Sequence, residues 1–506
     1  MPAFRSILII AASLALAGCV TAANDTADLA ALRPIAQVDE RFQSYNIEMV
    51  EVTGGRFWAP YGGPAGEQFR QRAPLDLANP RLRQLAAALG PAYIRVSGSW
   101  ANTTYLPAEG ELHETPPPGF RQVLTRAQWR GLVDFARAVD APIVTSFAAG
   151  EGARDALGGW SPVQAQRLLD LTREAGGTLY AAEMLNEPGL IAQGGLPAGY
   201  SSEAFARDHA MFTAWARSQA PGMILLGPGN LGEETISPRM RAMLLPPGGE
   251  LSTADLLART GASLDAVSWH FYGGSSPRCG GGTGADGREA ALGDAWLDLT
   301  LREYDAVAGL RDLHAPGKPL WLTETAQAAC GGSPWAASFA DSFRYLNQLG
   351  LLAQRGVRAV MHNTLAASDY GLIDGDTLEP RANYWAAVLW GRLMGPQVLA
   401  PPPAPAGLRI YAHCLRGVDG GVALLAINPG GTVLALPVTQ AGEGWVMQAA
   451  DLDAGPITVN GRRPVLAANG LLAGMDGAAL AGSFAIPPQA IAFAALPQAG
   501  NPACRG

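Results

Sequence analysis

Two glutamates occupy positions where charge is unusual. Glu187 follows the apolar run of "LYAAEMLNEPGL" at 179–190, and Glu324 interrupts "PLWLTETAQAACGG" at 319–332. A carboxylate at the end of a buried run is costly unless it is paired. Two carboxyl groups flanking one glycosidic bond supply the chemistry of sugar hydrolysis. One protonates the leaving oxygen, and the other attacks the anomeric carbon or activates water. A gap of about 5–5.5 Å gives retention of configuration and one of about 6.5–9.5 Å gives inversion; the sequence alone fixes neither. The competing structural reading is two buried glutamates held by arginines.

Eight β-rich apolar runs alternate with helical patterns from about residue 40 to 385: 44–50, 92–98, 142–148, 178–186, 223–229, 264–272, 319–324 and 357–363. This alternation predicts an α/β fold, a (β/α)8 barrel, whose strands present their C-terminal ends to the active site. Glu187 then closes strand four and Glu324 closes strand seven, on one face. Helices are expected over 80–90, with Gly90 as C-cap, and over 161–177, with Ser161 as N-cap and Pro162 following. After "PPPAPAG" at 401–407 the runs become short and turn-rich, which predicts a C-terminal β-sandwich. The expected organisation is 1–18 signal peptide, 19–38 tether, 39–395 barrel and 396–506 sandwich.

The chain has 506 residues, a net charge of -8 and 48% hydrophobic residues. That acidic balance argues against nucleic acid as a partner. The opening "MPAFRSILIIAASLALAGCV" has one basic residue, an apolar stretch and small residues before Cys19. It reads as an export signal too short to span a bilayer. The ending Leu16-Ala17-Gly18-Cys19 resembles a bacterial lipobox, so lipidation of Cys19 and an envelope location through a lipid anchor alone are expected. Cys279, Cys330, Cys414 and Cys504 remain, an even number in an exported chain, and allow up to two disulfides in three connectivities. No Cys or His pair has the close spacing of a zinc site. No metal or cofactor is expected, and the oligomeric state is left open.

Asn186-Glu187 at the fourth strand with a lone Glu324 at the seventh resembles the clan of retaining glycosidases known as the 4/7 superfamily. The joint order of "LANPRLRQLAAALGPAYIRVSGS", "AVSWHFY", "WLTETAQAACGG", "YLNQLGLLAQRGVRAVMHN", "YGLID" and "LRIYAHC" resembles glycoside hydrolase family 79, the heparanase and β-glucuronidase family, from about residue 40 onward. The resemblance implies Glu187 as acid/base, Glu324 as nucleophile and Asn186 as a contact to the sugar 2-hydroxyl. It implies Glu48 as an acidic sugar-binding position, with Ser99 where the family carries threonine. His270 and Tyr272 match the sixth-strand pair, the Tyr hydroxyl bonding the nucleophile. The Gly331 and Gly332 amides and the Tyr370 hydroxyl match uronate-carboxylate contacts, and Asn363 stands where heparanase has glutamine. Arg95 and Glu183 are read as an inward supporting ion pair, and Trp100 and Trp335 as sugar-stacking or packing rings. Cys414 and Cys504 match a family disulfide across the sandwich. A Cys279–Cys330 bridge would join the loops after strands six and seven.

The stretch 151–170 and the loop after strand six hold few basic residues, which weakens a case for extended sulfated substrates. The expectation is therefore a retaining, exo-acting β-glucuronidase on a glucuronic-acid-containing glycan or glycoconjugate. The alternatives are an endo-acting enzyme on a uronate polysaccharide, a clan member for neutral sugars, or a silent glycan-binding lipoprotein.

Overall fold

The computed structural model describes residues 28–505, except 64–66, 112–114, 236–250, 282–286, 439, 454 and 481. The signal peptide, Cys19 and the tether as far as residue 27 lie outside the described residues. Eight parallel strands close into a barrel: Gln43–Glu48, Ile94–Ser97, Ile143–Ser146, Leu179–Glu183, Ile224–Leu231, Ala266–Ser275, Leu320–Ala329 and Ala359–His362. They are numbered one to eight below.

The barrel interior changes character with height. At its floor, Tyr93, Val144, Ala181, Leu226, Ala266, Trp321, Ala359 and Met361 form one apolar cluster. Successive side chains of a strand alternate between faces, so the next inward residues are two positions further along. On strand six these are Ser268, His270 and Tyr272, and on strands two and four Arg95 and Glu183; all five are buried. The polar upper half is thus built on a dry apolar base.

Strand seven breaks the alternation. Trp269 pairs with Leu322, whereas His270 pairs with Glu324, so strand seven carries one extra residue there. A bulge of this kind redirects a side chain. Thr323 and Glu324, neighbours in sequence, consequently both bond to groups inside the barrel: Thr323 Oγ1 to Glu183 and Glu324 to Arg95.

Helix boundaries differ slightly from expectation. The first expected helix runs Pro80–Ala88, with Asn79 capping the Arg81 and Leu82 amides and Leu89 as C-cap. The second runs Val163–Glu174 with Pro162 at the N-cap. Ser161 lies one residue too early to cap it.

The sandwich is larger at its N-terminal side than the sequence indicates. Its main sheet runs Pro34–Gln37, Met394–Leu399, Arg409–Leu415, Val422–Asn428, Ala490–Leu496, Gly442–Gln448 and Thr458–Val459. A second ribbon, Leu434–Pro437 with Ser483–Ile486, encloses the apolar cluster that includes Leu408, Leu424, Leu436 and Ile486. Residues 34–37, expected in the tether, pair antiparallel with Met394–Leu399, and that strand begins inside the range expected for the barrel. The pairing joins segments far apart in sequence, which no local pattern records. The helix Phe339–Gln354 is buried along nearly its whole length. It lies beneath the sheet, where Tyr411 covers Gly350 and donates a 2.6 Å hydrogen bond to Asn347 Oδ1.

Candidate active site

At the C-terminal ends of the strands is a cavity of about 700 Å³ lined by Glu48, Ser99, Asn186, Glu187, Tyr272, Glu324 and Tyr370, among others. Its size suits a small-ligand site. Arg95, rising from strand two, organises the carboxyl groups below it. Its Nη1 donates to Glu324 Oε2 at 2.8 Å. Its Nη2 donates to Glu183 Oε2 and Asn186 Oδ1, both at 2.8 Å. Glu183 also accepts from Ser268 Oγ and Thr323 Oγ1, each at 2.7 Å. The Arg95–Glu183 pair expected from the sequence is therefore present, and Arg95 reaches Glu324 as well.

Glu187 does not close strand four, which ends at Glu183. It sits four residues beyond, in left-handed backbone with φ 47°, and its amide donates to the Gly229 carbonyl at 3.1 Å. Asn102, which the sequence reading did not single out, fixes this segment by bonding both the amide and the carbonyl of Asn186 at 2.8 Å. Because Arg95 can only donate, Asn186 Oδ1 must face it. The Asn186 Nδ2 group is left beside Glu187, 3.4 Å from Oε2.

The same argument fixes His270. Arg95 Nη2 stands 3.1 Å from Nε2, so Nε2 accepts and the ring proton is on Nδ1, which donates to Glu187 Oε1 at 2.9 Å. Burial opposes a second proton on this ring, while the Glu324 and Glu187 carboxyls favour one and shift its affinity upward. The arginine facing Nε2 leaves no acceptor for such a proton, and we take the ring as neutral in this geometry.

Tyr272 donates to Glu324 Oε1 at 2.6 Å. Its oxygen then accepts from Asn363 Nδ2, which also reaches Glu48 Oε1 at 3.1 Å and the Tyr370 hydroxyl at 3.3 Å. The two principal carboxyls shift in opposite directions. Burial, reinforced by the charge of Glu324, raises Glu187 above the ordinary carboxyl range although the His270 bond opposes it. Burial would raise Glu324 too, but the Arg95 charge and the hydrogen bonds from Tyr272 and Arg95 favour the carboxylate and hold it low. One oxygen of each glutamate and a ring nitrogen of His270 lie within 4.8 Å of one another. A cation there would have to displace the Arg95 and Tyr272 bonds to Glu324. Two carboxyls at this spacing, with proton affinities pushed in opposite directions, have the arrangement that acid and nucleophile need at one sugar carbon.

Several expected positions fall elsewhere. Gly331 and Gly332 do not line the cavity; the Gly332 amide donates to the Ala328 carbonyl, and the Gly331 carbonyl accepts from Ser368 Oγ and the Asp369 amide. Both are in left-handed backbone, and a Cβ on Gly331 would meet Ser368, Arg278 and Trp58. They turn the loop tightly behind the wall. Trp335 packs on Trp296 away from the cavity, whereas Trp100 lines it. Both disulfides form, Cys279–Cys330 and Cys414–Cys504, and the first contributes both its residues to the cavity wall.

Much of the remaining wall comes from a hairpin inserted after strand one, Gly55–Trp58 with Phe69–Arg72, which the sequence reading did not anticipate. Trp58 stacks on Phe69 at 4.4 Å, and Arg56 lies over the Phe69 ring at 4.7 Å. Arg121 completes the rim and donates to the Ala192 and Gln193 carbonyls. Neither arginine pairs with a carboxylate among the described residues.

Fold and homologues are those of a glycoside hydrolase of the (β/α)8 class with an attached β-sandwich. More particularly, heparanases and heparanase-like proteins are homologues of this chain. It is 28% identical over 378 residues to heparanase-like protein 1 of Arabidopsis thaliana, an alignment covering 70% of this chain and 65% of that protein, just under two thirds of its length. It is 27% identical over 463 residues to heparanase of Mus musculus, covering 78% and 77%. Among solved structures, a 4-O-α-L-rhamnosyl-β-D-glucuronidase from Fusarium oxysporum shares the fold with TM-score 0.62 at 14% identity, covering 92% of this chain and 97% of that one. No family model matches the chain.

Proposed function

We propose that this chain is a retaining, exo-acting β-glucuronidase that removes terminal β-linked glucuronic acid from glycans or glycoconjugates. The observation that carries the reading is the close approach of Glu187 and Glu324, with oxygens within 4.8 Å, a spacing that suits double displacement. Charged Glu324 attacks the anomeric carbon as the glycosidic C–O bond breaks, and the Glu187 proton passes to the departing oxygen. Glu187, now a carboxylate, takes a proton from water, whose oxygen displaces Glu324 and restores both groups. Asn186 Nδ2 is available to a sugar hydroxyl beside Glu187. The Tyr370 hydroxyl, accepting from Asn363, keeps its own hydrogen for an oxygen of the bound sugar. In this reading the protein works at the cell envelope, exported by residues 1–18 and anchored through lipid on Cys19.

A second reading has an observation in its favour. Arg56 and Arg121 on the cavity wall are cations without carboxylate partners among the described residues, and such groups suit an anionic leaving group, as in endo-cleavage of a uronate polysaccharide. The test compares aryl β-glucuronide, aryl β-glucoside and uronate oligosaccharides with the wild type, Glu324→Ala and Glu187→Ala. The first reading expects hydrolysis of the glucuronide alone among the aryl substrates, abolished in Glu324→Ala. Glu187→Ala should lose far more on poor leaving groups than on activated aryl ones, since only the former need its proton. Preference for the glucoside, or equal losses on both leaving groups, would refute the assignment. Release of internal fragments from oligosaccharides would select the endo reading.

A further inference from the structure

The hairpin Gly55–Trp58 with Phe69–Arg72 supplies groups that the reaction at Glu187 and Glu324 leaves unused. Trp58 stands directly opposite Phe69, and Arg56 opposite Gln71. Opposed residues, and those two apart along a strand, share one face of an antiparallel ribbon. These side chains therefore form one face, and all of them line the cavity. The Trp58 and Phe69 rings lie 26° apart, with the Arg56 guanidinium 4.7 Å from the Phe69 centroid. Trp100 and Leu190 continue the apolar wall. Trp58, Phe69, Trp100 and Leu190 are each only half-buried, and large apolar side chains held half-open on a cavity wall mark a binding surface.

The wall is fixed in position. Just beyond the paired strands, Arg278 in the loop after strand six donates to the Ala59 carbonyl and lies 3.8 Å from the Tyr61 ring centroid, while its own carbonyl accepts from Gln68 Nε2 at 3.0 Å. The same guanidinium donates to the Cys330 carbonyl at 3.2 Å and to Asp369 Oδ2 at 2.9 Å. The hairpin is thereby tied to the loops after strands six, seven and eight, and a surface held this way needs little ordering to bind. At its other end the wall meets the acid/base: the Leu190 amide donates to the Glu187 carbonyl at 2.9 Å. It adjoins the side from which the leaving oxygen is protonated.

Polar partners on that wall are largely committed to the protein. Gln122 Nε2 donates to the Trp100 carbonyl at 3.2 Å and to Thr104 Oγ1 at 2.6 Å, and Arg121 donates to the Ala192 and Gln193 carbonyls. A sugar here would need partners for several hydroxyls at once. A flat aromatic group needs ring surface instead. Arg56, exposed and without a hydrogen-bonded partner among the described residues, can take an acid at its edge.

Resting on the exo-glucuronidase reading, we propose that this face of the hairpin is a leaving-group subsite for a planar aromatic aglycone that carries a carboxylate. Trp58 and Trp100 give the aglycone ring surface, Phe69 braces Trp58, and Arg56 pairs with the acid. The substrates are then glucuronides of aromatic hydroxy acids.

The test begins with binding, which needs no turnover. Calorimetric titration of the wild type with 6-hydroxy-2-naphthoate and with 2-naphthol should show the acid binding about threefold tighter or more. Arg56→Gln should erase that preference, and Trp58→Ala should weaken both ligands about tenfold, with Trp58→Phe recovering most of the loss. No binding of either ligand to the wild type overturns the proposal, as does Trp58→Phe as weak as Trp58→Ala. An acid preference that survives Arg56→Gln overturns the role of Arg56. In kinetics, kcat/KM of each variant is divided by that of the wild type on the same substrate, so leaving-group reactivity cancels. Trp58→Ala should lose at least fivefold more on 6-carboxy-2-naphthyl β-glucuronide than on a β-glucuronyl disaccharide; equal losses refute an aromatic subsite. If the wild type cleaves no glucuronide, the functional reading fails, while the titrations still decide the subsite.

Discussion

Tyr272→Phe removes one oxygen and little else. The ring keeps its packing against Leu231, Ala326, Ala336 and Tyr370, so the fold should survive. Lost is the 2.6 Å bond to Glu324 Oε1, a hydrogen bond to a charged group worth about 1.5–3 kcal/mol. At about 1.4 kcal/mol per pKa unit, Glu324 should rise by roughly one to two units. The sign follows from the charge that is stabilised: the hydroxyl favours the carboxylate, so without it protonation begins at higher pH. Activity needs that carboxylate charged and is lost as pH falls through its pKa. The acidic limb of kcat/KM against pH, measured on aryl glucuronide, should therefore move upward by roughly one to two pH units, and the alkaline limb much less. A uniform loss at every pH, with the acidic limb unmoved, would refute the claim that Tyr272 holds Glu324 ionised.

The disulfide between Cys414 and Cys504 closes a separation of 90 residues. Replacing both cysteines by serine should cost about 4.6 kcal/mol by the loop-entropy argument, read as a fall in Tm of the intact chain; an unchanged Tm would contradict it. Acid should also weaken the fold. Burial lowers His413 to about 4, and its Nδ1 hydrogen is committed to the Gly395 carbonyl. Since its folded pKa is depressed, its contribution is complete above about pH 6.5 and is lost as pH falls toward 4, roughly 3 kcal/mol in all. Denaturant midpoints measured across that window should fall in the wild type and less steeply in a folded His413→Asn variant; parallel curves would refute the assignment.

The barrel was legible because short apolar β-rich runs and their succession with helical patterns are local, and the pair Glu187 and Glu324 was legible because charge is rare in apolar runs. Their exact stations were not. The bulge at Thr323 depends on pairing with strand six, and the left-handed turn at Glu187 depends on contacts with the Gly229 carbonyl and Asn102. Gly331-Gly332 announced backbone freedom, and both stand in left-handed backbone, with the Gly332 amide committed to the Ala328 carbonyl. Arg56, Phe57 and Phe69 were missed because their hairpin is short and follows no strong alternation. Asn102 gave only a weak signal, one polar residue in a loop after strand two.

Pro34–Gln37 and Met394–Leu399 are neighbours in one sheet, and the entire barrel lies between them in the chain. The barrel is thus an insertion into the sandwich, its two ends stitched together like the neck of a bag. The strand made first must wait for the whole barrel to be synthesised before its partner exists. A chain stopped just after strand eight would leave that seam open, with the buried helix Phe339–Gln354 uncovered, so truncation at the domain boundary removes a closure of the barrel as well as its neighbour.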